Sequence, residues 1–360
     1  MRLHALAALC ALLFAGALPG AAAFEIKPTG RLHADYAKHD ADVTPLRDRG
    51  ELRRAQLGVE GTFTPSWAYE AVYDFVDDGE WKDVWVRYQG WDQGSITAGQ
   101  FKVPFSLEEL TSSNNITFIE RALPVNAFGL SRRVGIGLNR ATKQYSFALM
   151  GFGDAIDGDK GRGAGARFTF APVDGKGRLV HFGLSAVTEE PEERPNLRTY
   201  PESRPTDERL VRTGNLADVD RINRIGLEGA WTAGPFSAQA EWMRASLQRG
   251  DGRADASLDG WYVGGSWLLT GESRGYKDGR MRGFTVARPA GAWELAARYS
   301  RVDLDGDGVR GGRERNVTVG VNWYAKDYVR IMANYIRVKS ERRGVADNPS
   351  IFLVRAQAAF

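Results

Sequence analysis

Residues 351–360 read IFLVRAQAAF. Side chains of an extended chain alternate between two faces, so Phe352, Val354, Ala356, Ala358 and Phe360 share one side, and Leu353, Arg355, Gln357 and Ala359 the other. The first face is wholly apolar, while the second carries an arginine in mid-strand. Such a ribbon needs a partner along its edge and an apolar medium against its face.

The same alternation recurs along the chain and is the dominant pattern. Leu32, Ala34 and Tyr36 alternate with Arg31, His33 and Asp35; Tyr69, Ala71, Tyr73 and Phe75 alternate with Glu70 and Asp74; Val84, Val86 and Tyr88 alternate with Asp83 and Arg87. Later, Trp293, Leu295, Ala297 and Tyr299 oppose Glu294, Arg298 and Ser300, and Val317, Val319, Val321 and Trp323 oppose Thr318 and Asn322. Charges fall repeatedly on one side of a strand.

A soluble sandwich would also alternate, with its apolar face buried. Three further features favour an all-β transmembrane antiparallel β-barrel, whose outer residues meet hydrocarbon and inner ones meet water. The segments run to about ten residues, the length a tilted membrane strand requires. Short turns, such as Thr64-Pro65-Ser66 and Thr232 to Pro235, alternate with long polar loops. Aromatics (Trp67, Tyr88, Trp231, Trp242, Tyr324, Tyr335) lie near strand ends, where an interfacial belt would form.

Parity then sets the strand count. Treating 282–288 (RGFTVAR) as a strand gives an odd number, which would leave the two termini on opposite sides of the membrane. Residues 270–291 are therefore expected to form one long periplasmic connection, leaving about 16 strands, in the range of a barrel with an aqueous channel. IFLVRAQAAF becomes the closing strand, paired with the first one near residues 30–37, because bilayer hydrocarbon does not tolerate an open sheet edge.

Residues 1–23 have the three-part form of a secretory signal: Arg2, a short apolar core, and Ala21-Ala22-Ala23 as a small-residue cleavage site. The expected organisation is a signal peptide over 1–23 and one barrel over 24–360. Cys10, the single cysteine, lies in the signal, which excludes disulfides, zinc–thiolate sites and cysteine nucleophiles from the mature chain. The net charge of +3 is too small to imply bulk nucleic-acid binding, so ion preference must come from where charges sit.

Several stretches resemble the phosphate-selective porin O/P family of Gram-negative outer membranes: RRAQLGVEGTF (53–63), GQFKVPFSLEELTSSNNITFIERALP (99–124), TGESRGY (270–276), GAWELAARYS (291–300) and GGRERNVTVGVNWYAKDYVRIMANYIRV (311–338). The resemblance implies a homotrimer of sixteen-stranded, multi-pass barrels in the outer membrane. Each would conduct small inorganic or organic anions, phosphate included, past an inward-folded third external loop, here roughly Ser106 to Ser131. It also implies contact with outer-membrane lipid and lipopolysaccharide, and recognition of the terminal Phe360 by the outer-membrane assembly machinery.

The resemblance carries over to particular residues. Arg53 and Arg54 match the paired arginines opening the family's second strand, and Arg121, in FIER, matches an arginine on the constriction loop. Glu109 and Gln56 depart from the pattern, standing where a lysine and a tyrosine are expected. Arg53, Arg54, Lys102, Arg121, Arg132 and Arg133 form the candidate anion-binding group at the constriction. Arginine suits this role because its planar fork of donors stays charged and matches phosphate oxygens. Ten inward cations, among them Arg298, Arg330 and Arg355, face eight inward acids, a near balance.

The alternatives are a general diffusion porin with little charge selectivity, for which Glu108, Glu109 and Glu120 are the discriminating residues, and a non-conducting structural or adhesin barrel. Asp303, Asp305, Asp307, Gly308 and Glu314 have the spacing of a calcium loop, but strand patterns flank them, so the run reads as an acidic turn. No metal, cofactor or catalytic residue is expected: His33, His39 and His181 are scattered, with no nucleophile beside them.

Overall fold

The computed structural model describes residues 24–360 apart from Asp159 and Glu193; the expected signal, 1–23, lies outside the described residues. Twelve strands come first: β1 (Glu25–Asp40), β2 (Arg49–Thr64), β3 (Trp67–Asp74), β4 (Glu80–Trp91), β5 (Gly94–Lys102), β6 (Arg132–Ala141), β7 (Tyr145–Phe152), β8 (Arg162–Gly175), β9 (Arg178–Glu190), β10 (Val219–Ala233), β11 (Phe236–Arg249) and β12 (Ala256–Leu268). A small hairpin of β13 (Gly275–Lys277) and β14 (Arg280–Arg282) follows. Then come β15 (Ala292–Gly306), β16 (Val309–Lys326), β17 (Val329–Arg342), β18 (Val345–Asp347) and β19 (Ser350–Ala359).

β13 and β14 form a separate two-stranded sheet, and β18 pairs with the last residues of β17 within a connection. The other sixteen strands are the staves of one closed antiparallel barrel. Closure is made by the C-terminal ribbon. β19 lies against β17 on one edge and β1 on the other, with Arg31–Asp40 opposite Ser350–Ala359. Gly30 and Phe360 exchange both backbone hydrogen bonds at 3.0 Å. Each of the sixteen barrel strands is thereby paired on both edges, as a hydrocarbon environment demands.

Outward positions are apolar and uncovered. Leu57, Ile136, Phe182 and Val263 stand exposed on the exterior while their strand neighbours turn inward. Aromatic pairs flank the short turns: Trp67 with Tyr88 at 5.1 Å, Phe236 with Trp267 at 5.6 Å, and Trp293 with Trp323 at 6.1 Å. Rings that are part apolar and part polar settle at such a boundary. Tyr324 is an exception to the expected belt: it shares the parity of inward Asn322, and its hydroxyl donates to Glu294 Oε2 at 2.7 Å.

The inner surface is less uniformly polar than the alternation implies. Val187, Ile222, Met243, Leu247, Leu258, Val302 and Leu304 line the upper wall of β9–β15 and pack against Phe105, Leu123, Phe128, Leu197 and Val211 from the connections 103–131 and 191–218. The barrel thus encloses a conventional apolar core on one side. Glu202, in the second of these connections, accepts hydrogen bonds from Ser300 at 2.5 Å and Thr318 at 2.6 Å and pairs with Arg298 at 2.8 Å.

The acidic run where β15 turns into β16 forms a hairpin end in which Asp303 and Asp305 are already engaged. Arg313 Nε lies 2.8 Å from Asp303, Asp305 accepts from the Gly312 amide at 2.9 Å, and Glu314 is buried on the inner wall. Continuous strands on both sides separate these groups instead of curling them around one point.

Candidate functional site

Two breaks end β5 and start the loop that follows. Pro104 has no N–H to continue the ladder, and Ser106 adopts a left-handed φ of 69°. Ser106 Oγ then accepts from the Glu109 amide at 3.2 Å, capping the single turn α1 (Leu107–Leu110). A second turn, α2 (Leu123–Phe128), has Pro124 in its first turn, where the missing N–H costs nothing.

Between these turns the loop has few hydrogen bonds of its own, and the inner wall supplies the rest. Glu241 on β11 accepts the Leu107 and Glu108 amides at 2.9 and 2.8 Å. Asn334 on β17 accepts from the Ile119 amide at 3.0 Å, while within the loop Glu108 Oε2 accepts from the Ala122 amide at 2.9 Å. The carbonyls are held by cations: Arg355 donates to Ile119, Arg330 to Ile116 and Thr117, and Arg298 to Glu120, at 2.5–3.0 Å. These buried arginines, read from the sequence as lumen charges, are structural fasteners of residues 103–131.

From the opposite end, the connection 269–291 sends β13–β14 up into the lumen. Arg274 pairs with Glu294 at 2.6 Å and donates to the Asn115 carbonyl at 2.9 Å. Arg167 donates to the Gly279 carbonyl at 2.7 Å, and the Tyr276 hydroxyl lies 2.7 Å from His181 Nδ1. Asp278 and Gly279 both have positive φ and form the tight turn of this hairpin.

The loop and hairpin crowd the β9–β17 side and leave a cavity of about 860 Å³ along β1–β8. Twelve basic and five acidic side chains line it. Six of the cations have a carboxylate within ion-pair distance: Arg53, Lys82, Lys102, Arg121, Arg132 and Arg167. Among the described residues the other six, Arg31, Arg54, Arg87, Arg140, Arg280 and Arg282, have none.

The six candidates from the sequence divide accordingly. Arg53 is held by Glu120 at 2.9 Å and Arg132 by Asp83 at 2.5 Å. Glu109 bridges Lys102 at 3.3 Å and Arg121 at 3.1 Å. Arg121 also donates to the carbonyls of Glu108, Glu109 and Thr111, so most of its fork is spent within its own loop. Arg133 pairs with Glu189 at 3.0 Å, beside Arg224, away from the cavity wall. Arg54 lines the cavity with no acid partner. Gln56, the other departure from the family pattern, donates to Asp74 at 2.6 Å.

Burial alone would raise the Glu120 carboxyl, but Arg53, Arg355 and Arg54 around it hold it well below the ordinary carboxylate range. Glu109 is lowered too, with Arg121 and Lys102 outweighing burial. Both therefore stay ionised and cancel part of the basic surface.

Sequence reasoning named Arg31 and Arg87 as inward without singling them out. Arg31 donates to Ser113 Oγ at 3.0 Å; Arg87 donates to Thr97 Oγ1 at 2.9 Å and lies 4.2 Å over the Trp85 ring. Arg280 was missed altogether, although the Asp278-Gly279 turn signal that delivers it was present.

Comparison with known proteins places these features in context. The family profile "Phosphate-selective porin O and P" matches residues 26–360. Porin O of Pseudomonas aeruginosa is 29% identical over 94% of this chain and 89% of its own length. Among solved structures, the anion-selective porin from Comamonas acidovorans aligns over 94% of this chain and all of its own, with a TM-score of 0.63 at 13% identity. The outer membrane channel DcaP of Acinetobacter baumannii aligns over 95% of this chain and 99% of its own, with a TM-score of 0.61 at 11% identity.

Proposed function

The chain belongs to the phosphate-selective porin O and P family, and from that premise we propose that its outer-membrane barrel passes small anions, phosphate and other oxyanions among them, passively down their gradients. The supporting observation is the excess of cations on the cavity wall, half of them without a carboxylate partner. At a narrow, partly dehydrated point one uncompensated guanidinium acts strongly on a passing ion, while wide solvated regions screen it. The fork of donors suits an oxyanion, and partial compensation by Glu109 and Glu120 keeps binding weak enough for release.

The working unit is a homotrimer, and its action is transport without catalysis. Phe360, exposed at the end of the closing strand, serves as the aromatic signal read by the assembly machinery. The apolar exterior faces outer-membrane lipid, and the external connections contact lipopolysaccharide.

A second reading, a general diffusion porin, draws on the same acids. Glu109 engages two of the candidate cations, and Gln56 replaces a phenol with a group already committed to Asp74. Reversal potentials of the purified protein in planar bilayers under a salt gradient separate the readings. Anion preference with block by millimolar phosphate is expected. A potential near zero favours general diffusion, cation preference rules out the anion reading, and an absence of conductance from intact trimers leaves a structural barrel.

A further inference from the structure

Arg53 and Arg54 are sequence neighbours on β2 with opposite environments. Arg53 is neutralised by Glu120; the Arg54 guanidinium reaches His33 on β1, its NH1 lying 3.3 Å from His33 Nδ1. His33 faces Arg54 across the β1–β2 ladder and is wholly shielded from solvent. Its other nitrogen, Nε2, lies 3.1 Å from Asn114 Oδ1 on the loop.

Both contacts select one form of the ring. A guanidinium can only donate and an amide oxygen can only accept, so Nδ1 accepts from Arg54 and the ring proton sits on Nε2, donating to Asn114. An imidazolium would aim an N–H at a cation. Arg31, Arg54 and Arg355 are the charged groups that act on the ring, and among the described residues no carboxylate lies within ion-pair distance of it.

We propose that His33 is a positioning residue for anion selectivity: a neutral acceptor that fixes the Arg54 guanidinium, and ties it to the loop through Asn114, without cancelling its charge. A carboxylate in this place would hold Arg54 equally well and remove the attraction. Arg54 lines the cavity, where a phosphate-like oxyanion can accept from its remaining N–H groups. This inference rests on the anion reading above.

The test compares His33→Asp and His33→Gln with the wild-type trimer by reversal potential in a potassium chloride gradient. His33→Asp is expected to lower the anion-to-cation permeability ratio about threefold to tenfold, as one added charge near a partly dehydrated path would. His33→Gln, which retains an acceptor and a donor, is expected to stay within about twofold of wild type on the same scale. Equal ratios for wild type and the Asp variant overturn the proposal, as does a Gln variant that loses as much as Asp. If the Asp variant does not assemble, His33→Leu replaces it: a lower ratio than Gln supports the assignment, and equality with Gln overturns it. A wild-type channel without anion preference removes the anion reading itself; an anion-selective wild type with indifferent variants removes only the role of His33.

Discussion

Arg355 and Arg54 face the same lumen, both buried, on the two strands that flank β1, and their chemistry could hardly differ more. Arg355 makes a bidentate pair with Asp35 at 2.6 and 2.7 Å, a third contact to Glu120 at 2.7 Å, and donates to the Ile119 carbonyl. Arg54 has a neutral imidazole for a partner. The first belongs to a wall that spends its charges on holding a loop, the second to a wall that leaves charge available to solutes. Inward cations in a barrel therefore cannot be added up as a field. What matters is which of them has already been answered by an anion.

The comparison breaks first, and hardest, at Arg355. Removing one partner of a buried ion network leaves the others uncompensated, at a cost of roughly 3–5 kcal/mol. Arg355→Ala strands Asp35, leaves Glu120 with Arg53 as its one ion-pair partner among the described residues, and frees the Ile119 carbonyl. The expected result is a lower barrel unfolding temperature in detergent, followed by heat-modifiable gel migration, together with noisy conductance. An unchanged midpoint would show that the arginine is not a fastener.

Glu241 tests the same wall from the opposite sign. Its carboxylate accepts two loop amides and the Tyr262 hydroxyl, so Glu241→Leu leaves two buried N–H groups without that acceptor, at a cost of about 1–3 kcal/mol for each. The loop's first limb should loosen, seen as faster proteolysis within residues 103–131 while the barrel itself remains resistant. Equal protease resistance in variant and wild type would remove Glu241 from the clamp.

The sequence was informative wherever period two governed. The closing role of IFLVRAQAAF, the sixteen staves and the assignment of 270–291 as a connection all follow from alternation and parity, which depend only on backbone geometry. Partnering was not legible, because it depends on residues far apart in the chain: Arg355 meets Asp35, 320 positions away, and nothing local distinguishes it from Arg54. The apolar inner wall had a weak trace. Met243, Ala245 and Leu247 continue the inward parity of Glu241, a change of character along one face that marks a filled region of the lumen. The hairpin of β13–β14 had a stronger one, since Asp278-Gly279 between short extended runs is a turn signal.

On the open wall the readout changes from stability to selectivity. Arg54→Ala removes a cation that has no carboxylate within ion-pair distance among the described residues, and Glu120 keeps Arg53 and Arg355, so the unfolding midpoint should move little. The anion-to-cation permeability ratio should fall about threefold to tenfold at low salt and less at high salt, where screening shortens the reach of the remaining charges. Arg121→Ala makes the informative control: its fork holds three carbonyls of its own loop, so it should disturb the conductance level as well as the ratio. If Arg54→Ala lowers the midpoint as much as Arg355→Ala does, the two walls are not distinct.

The smallest effect, and the one that sharpens the comparison most, is expected at Glu109. This carboxylate bridges Lys102 and Arg121 and is lowered by them against the opposing effect of its burial, so it is ionised throughout the neutral range. Glu109→Gln keeps the shape and an acceptor oxygen for one cation while deleting the charge. Lys102 and Arg121 then contribute to the channel instead of to each other's partner. Because Glu109, Lys102 and Arg121 are all partly solvated, the gain in anion preference should be modest, about twofold by the scale of half-screened pairs. Its sign is the decisive part: a rise places Glu109 among the groups that temper the open wall, whereas a fall would mean that loss of the bridge disorders Arg121 before its charge can be felt.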